Sequence, residues 1–233
     1  MSDRQSIREV HRKITESLPK IVGVVNAAMV LQDSMFPNTN LDMLRAVMAP
    51  KVDGSRYLDE LFSDPTLDFF ILFSSLAWAL GNSGQSSYAA ANGYLVGLAA
   101  QRRNRGLPAS VIDLGAVLGL GYITRSSQMT AAVINASGTY PISEYDLLEH
   151  FAEAILASPV ETSAAYETIS GIREVDPSLD DRVAWISNPQ LSHFVVDKCD
   201  VKANKAEKRA MPIKDQLREA RTLPVLRQII QGK

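Results

Sequence analysis

The sequence predicts an α/β fold, a parallel sheet with flanking helices, from three observations. Short continuous apolar runs, Ile21–Asn26 (IVGVVN), Phe69–Phe73 (FFILF) and Ala109–Asp113 (ASVID), have the composition of strands buried on both faces. Longer amphipathic or Ala-rich stretches separate them, the alternation that crossover helices between parallel strands produce. The second run ends on hydroxyls, Ser74 and Ser75, then passes through a Gly/Ser loop into a helix at about Tyr88. That places a serine near a phenol at one rim of the sheet, where open α/β sheets bind ligands.

The elements follow in order. Residues 2–17 read as a helix capped by Ser2 or Asp3, with Ile7, Val10 and Ile14 on its apolar face. Ile21–Asn26 is an interior strand that ends on the small residues Ala27 and Ala28. Asn40–Met48 and Pro50–Phe62 are two helical pieces, with Pro50 at a first-turn position and Lys51 beside it. After the strand from Phe69, alternation points Ser74 and Ser75 to opposite faces. Tyr88–Arg105 is a helix that finishes on Arg102, Arg103, Arg105 and Gly106, cations and a glycine where a helix C-terminus favours them. Ala109–Asp113 is the next strand. The loop behind it carries Gly115, Gly119 and Gly121, without the Gly-x-Gly-x-x-Gly spacing of a dinucleotide turn. Ser143–Ala157 is a capped amphipathic helix in which His150 is a surface or packing residue, and Ala164–Val175 carries a last strand.

Composition bounds the function. With 233 residues, 46% hydrophobic and 21% charged, the chain holds one full core and a small appendage. A net charge of −2 gives no general attraction to nucleic acid or to an anionic membrane. The charge is uneven: residues 200–233 hold nine Lys/Arg against four Asp/Glu, so this basic end is a separate segment. A single cysteine, Cys199, excludes an internal disulfide and a cysteine metal cluster. His11, His150 and His193 show no ligand spacing, so no metal site is expected. No stretch reaches the roughly 20 apolar residues of a membrane helix.

The chemistry concentrates on four residues. A phenol with a pKa of about 10 is a poor proton donor or acceptor at neutral pH, and a fixed ammonium nearby favours the phenolate. Lys51, a helix upstream of Tyr88, is placed to supply that charge. Ser75 is suited to hold and polarise a carbonyl oxygen while Tyr88 delivers the proton. Asn92, one turn beyond Tyr88 on the same helix face, is suited to fix the lysine or a water. Taken singly, such a lysine is a solvated charge, the serine a cap and the tyrosine a packing residue. The four together are informative.

With the local sequences APKVDG, FSSLAW and GNSGQSSYAAAN, the spacing of Lys51, Ser75, Tyr88 and Asn92 resembles the ketoreductase domain of polyketide synthases. It is most similar to the fungal highly reducing type, including synthases fused to a peptide synthetase, within the short-chain dehydrogenase/reductase family. Commoner members of that family carry Tyr-x-x-x-Lys. Here Asn92 takes the fourth place and the lysine lies upstream, the exchange expected of polyketide ketoreductases.

The resemblance implies a Rossmann-like sheet, NADPH as cofactor, and a β-ketoacyl thioester on an acyl carrier protein or domain as substrate. It implies a cytoplasmic location, catalytic roles for Lys51, Ser75, Tyr88 and Asn92, and cofactor contacts from Asn26, Ala27, Ala28, Lys51 and Tyr88. Met29 stands where the family carries glycine. Gln32 replaces the middle Asp of a stereochemical marker in Leu31-Gln32-Asp33, and Trp78 falls near a marker of the opposite class, so product configuration is left open.

Residues 1–198 are expected to be a partial ketoreductase, and residues 199–233 a linker with the start of a carrier-type helix. The first residues match the family just after its third strand. The N-terminal part of the dinucleotide-binding fold, with its Gly-rich turn, is therefore expected to be missing. Three readings follow: a truncated ketoreductase that is inactive on its own, a non-catalytic partner or remnant that docks on a synthase, and a half-enzyme acting in trans that is completed by another chain.

Overall fold

Among the described residues, four parallel strands lie side by side in chain order, β1 (Gly23–Asn26), β2 (Phe69–Ser75), β3 (Ser110–Leu114) and β4 (Glu167–Ile169). The structure is a computed structural model that describes residues 3–118, 134, 137–180 and 182–196. Gly119, Gly121, Cys199 and the basic tail lie outside the described residues. Asn26 stands level with Leu72, Ser74 with Asp113, and Asp113 with Ile169. The strand ends that carry polar side chains therefore gather at one rim. Strands β1 and β4 are each shorter than the apolar runs that predict them.

Helices cover both faces. On one, Val24, Phe70, Leu72 and Val111 pack with Phe62 and with Leu95, Leu98 and Ala99 of α5 (Ser86–Asn104). The same cluster takes in Leu58 and Leu61 of α3 (Val52–Leu61), which follows α2 (Leu41–Met48) after one turn. On the other face, Ile71 and Ile112 meet Ala154, Phe151 and Ile155 of α6 (Glu144–Ala157). The short α4 (Ala77–Leu80) leads from β2 towards α5. Ser143 caps α6 through a reciprocal pair with Asp146, as its sequence predicts. No helix among the described residues is long and apolar enough to cross a membrane.

Two local expectations need correction. Helix α1 (Arg4–Ser17) is capped by Asp3, which accepts the N–H groups of Gln5 and Ser6, but its packed stripe is Ile7, His11 and Ile14. His11 lies edge-on to Phe62 at 5.2 Å between ring centroids, while Val10 is exposed. Positions 7, 11 and 14 follow the helical period along one line; position 10 falls to its side.

The second correction concerns the cations at the end of α5. Arg102 is completely buried: it pairs with Asp59, donates to the carbonyls of Phe62 and Pro108, and lies 3.9 Å over the Phe70 ring. Its neighbour Arg103 donates through Nη1 to the carbonyls of Ala157, Ser158 and Pro159, tying the end of α5 to the end of α6. These guanidiniums hold the fold together from within, beyond complementing a helix dipole.

A second, smaller core forms from Val175, Val183, Trp185 and Leu191, with Leu80 of α4 packed against it. Trp185 donates its indole N–H to the carbonyl of Ser137 at 2.9 Å. The C-terminal segment thereby fixes residues 137–139, which form one wall of the cleft described next.

Candidate active site

The site begins with Asn26. At the end of β1 its side chain accepts the N–H of Ala28 and donates to Ser55 Oγ, at 2.7 Å, and to the carbonyl of Pro50. The amide thus ties the strand end to the turn between α2 and α3, and that turn presents Lys51. Pro50 lies in this turn, two residues ahead of the helix that the sequence starts at it.

Lys51 is almost fully buried, and its Nζ donates to the carbonyl of Phe73 at 2.6 Å. Burial pulls its pKa down from 10.5 to about 8, against the opposing field of Asp113. The ammonium is 5.6 Å from the centroid of the Tyr88 ring.

Tyr88 opens the buried stripe of α5, which continues through Asn92, Leu95, Ala99 and Arg102. The helix starts two residues earlier than the sequence suggests, at Ser86. Asn92 is fully buried and donates Nδ2 to the carbonyl of Tyr88 at 2.8 Å, so it braces the turn that carries the phenol. Its amide N–H thus bonds within its own helix, while the Lys51 ammonium bonds the sheet.

Burial raises the pKa of Tyr88, and the Asn92 and Ser75 side chains pull it the other way. This differs from the expectation that the ammonium leads: Lys51 gives its hydrogen bond to the sheet and faces the ring rather than the hydroxyl. Ser75 Oγ accepts the N–H of Ala77, while Ser74, on the opposite face, donates to the carbonyl of Asn92.

Lys51, Ser75 and Tyr88 line one cleft of about 530 Å³, together with Ala27, Met29 and Leu31 from the loop after β1, Leu114–Val117, and Thr139. Asn26, Ala28 and Asn92 do not line it; they shape its walls from behind. Met29 Sδ lies 3.9 Å from the Tyr88 hydroxyl. The sequence reasoning did not single out Thr139, which approaches through long-range packing and carries no local signal. It also passed over Asp113, a carboxylate inside an apolar strand, although a charge in that position was a visible anomaly.

The comparisons with known proteins now bear on this geometry. A family model described as the KR domain matches residues 1–119, a span that contains Lys51, Ser75, Tyr88 and Asn92. The chain belongs to the KR domain family. Its curated relatives are large fungal synthetases. The polyketide synthase-nonribosomal peptide synthetase TwmB of Talaromyces wortmannii is 42% identical over 95% of this chain and 8% of its own length. The hybrid PKS-NRPS synthetase lepA of Aspergillus flavus is 46% identical over 83% of this chain and 5% of its own. The chain thus spans less than a tenth of either relative.

Among solved structures, the PlmKR1 ketoreductase from the first module of phoslactomycin biosynthesis in Streptomyces sp. HK803 superposes with a TM-score of 0.64 at 31% identity. That match covers 73% of this chain and 37% of the other. An A-type ketoreductase from a modular polyketide synthase gives 0.63 at 28% identity, covering 73% and 34%. The KR domain therefore has the Rossmann-like sheet that its sequence predicts and resembles polyketide synthase ketoreductases in both sequence and fold.

Proposed function

We propose that this KR domain carries the ketone-reducing centre for a β-ketoacyl thioester held on an acyl carrier protein or domain, which it reduces to the β-hydroxyacyl form at the expense of NADPH. The observation that carries this reading is the meeting of Ser75, Tyr88 and Lys51 in one cleft. The Ser75 hydroxyl and the Tyr88 phenol are the two donors for the ketone oxygen, and Tyr88 gives it the proton. Lys51 holds the β2 rim through Phe73 and places positive charge beside the ring. Asn92 fixes the first turn of α5.

NADPH supplies the hydride to the carbonyl carbon. The residues present fit its nicotinamide–ribose end, which Ala27, Lys51 and Tyr88 would hold, with Asn26 and Ala28 shaping the turn. The pyrophosphate end is another matter. Among the described residues no strand runs through a Gly-rich turn into a helix, the unit that holds a pyrophosphate. We assign that part of the cofactor site to residues other than these. Residues 1–198 form the catalytic unit in this reading, residues 199–233 a linker towards a carrier domain, and the setting is cytoplasmic.

A second reading rests on β1. It pairs only with β2 among the described residues, and Val22 and Val25 at this edge are exposed. An open strand edge is a template for another strand, which favours a half-enzyme completed by another polypeptide segment, or a docking unit on a synthase. Calorimetric titration of the chain with NADPH, followed by assay on a β-ketoacyl thioester, separates the readings. Binding and reduction by the chain alone support the first. Binding only after a segment carrying the Gly-rich unit is added supports the second, and reduction that survives loss of both Ser75 and Tyr88 would sink the mechanism.

A further inference from the structure

Behind the cleft, a charged group lies in the core without a mate. Asp113 is fully buried on β3, level with Ser74 of β2. Neither of its carboxylate oxygens has a hydrogen-bond partner, and Trp78 Nε1 and Asn92 Oδ1 are likewise buried and unpartnered. Burial raises the pKa of Asp113, and the nearby side chains of Ser74, Trp78 and Glu167 and the Lys51 charge pull it back, although none of those three side chains reaches hydrogen-bond geometry. An unpaired carboxylate in a core is costly, so its retention needs a reason.

Lys51 supplies one. Its Nζ is anchored on the carbonyl of Phe73, the residue before Ser74, so ammonium and carboxylate flank the same end of β2. Neighbouring strands are about 4.8 Å apart, which brings Asp113 within the range where a charge acts through a dry interior. Asp113 is the charged group whose field opposes the desolvation of Lys51. Around Asp113 itself, β2 offers a hydroxyl, α4 an indole N–H and β4 the Glu167 carboxyl, and the cation acting on it is Lys51.

We propose that Asp113 is a positioning residue, the buried counter-charge that holds Lys51 as an ammonium. Its meaning for ketone reduction rests on the function proposed above; the electrostatic relationship does not. One further fact sharpens it. Lys51 sits at about 8, close enough to neutrality that a modest change of field moves it between ammonium and amine.

The test is an NMR titration of the full 233-residue chain, with ¹⁵Nζ-labelled lysine and ¹³Cγ-labelled aspartate, the Lys51 signal being assigned with Lys51→Arg. In Asp113→Asn the Lys51 pKa is expected to fall by about one unit, a tenfold loss in the ammonium-to-amine ratio. Glu167→Gln leaves the counter-charge in place, so Lys51 is expected to stay within about 0.3 unit of the wild type.

An unmoved or rising Lys51 pKa in a folded Asp113→Asn chain overturns the proposal. If that variant does not fold, the wild-type carboxyl signal decides. Ionisation of Asp113 below pH 7 upholds the counter-charge, and an Asp113 still protonated at pH 8 overturns it. No cofactor or substrate enters these titrations, so their failure and a failure of ketone reduction are separate results.

Discussion

The Lys51 ammonium stands 5.6 Å from the centroid of the Tyr88 ring and spends its hydrogen bond on the carbonyl of Phe73. The two side chains are neighbours without being hydrogen-bonded partners, so the lysine acts on the phenol through its field and by holding the strand end. Each of the following expectations starts from that arrangement or from the packing that maintains it.

Tyr88→Phe removes a hydroxyl that lies 3.9 Å from the Met29 thioether and interacts with the Ser75 and Asn92 side chains, so stability is expected to fall by about 0.5–1.5 kcal/mol. Ketone reduction, in a preparation shown to reduce a β-ketoacyl thioester, is expected to fall by roughly 10²–10⁴-fold. Thermal unfolding and single-turnover NADPH oxidation, measured side by side, give both numbers. Retained turnover would remove Tyr88 from the role of proton donor.

Lys51 makes stability depend on pH in a definite direction. Its pKa is 10.5 when unfolded and about 8 in the fold, so between these values the unfolded chain binds more protons and stability rises with pH. The contribution is complete above 10.5 and lost as pH falls to 8. Lys51→Met lacks this slope. Denaturant titrations of both proteins are expected to show their difference changing by about 3 kcal/mol across that window, and parallel curves would contradict the burial of a charged lysine.

Glu167 works in the opposite sense. Burial, then Asp113, raises its pKa from 4.5 to about 7, so its favourable protonated state is fully present below 4.5 and is lost as pH rises through 7. The side chain is only half-buried, and solvent screening reduces the effect to about 1 kcal/mol. Glu167→Gln is therefore expected to be the more stable protein at pH 8 by that amount, and to show no such advantage at pH 4. Urea midpoints at the two pH values would reveal it.

Arg102→Ala is expected to cost about 3–5 kcal/mol, because it strips the partner from Asp59, leaves the Phe62 and Pro108 carbonyls without their donor and opens a void beside Phe70. Arg105, which also bonds Asp59, limits the loss at that carboxylate. Chemical denaturation measures the cost; a change below 1 kcal/mol would mean that the core closes over the gap.

Much of the sheet was legible because β2 and β3 are continuous apolar runs bounded by polar residues, and a strand buried on both faces leaves that mark. The Asp3 and Ser143 caps were equally local. What stayed hidden depends on distance in the chain. Nothing near Arg102 announces Asp59, forty-three residues earlier, and nothing near Ser137 announces Trp185. The candidate site was proposed from four positions in register, and the fold brings three of them, Lys51, Ser75 and Tyr88, to one cleft. Its electrostatics were read less well, because the ring-facing placement of Lys51 follows from a hydrogen bond to a backbone carbonyl that the sequence does not specify.

Strands β1 to β4 lie next to one another in the order in which they are made. Each strand that leaves the ribosome after the first therefore finds its neighbour already synthesised and need not wait for a later one. The rim of Asn26, Lys51 and Ser75 is drawn from residues 26–75, and Tyr88 joins it with the next helix. Among the described elements, assembly of this centre can thus run in the direction of translation, with the Trp185 segment, which fastens the far wall, made after the strands it serves.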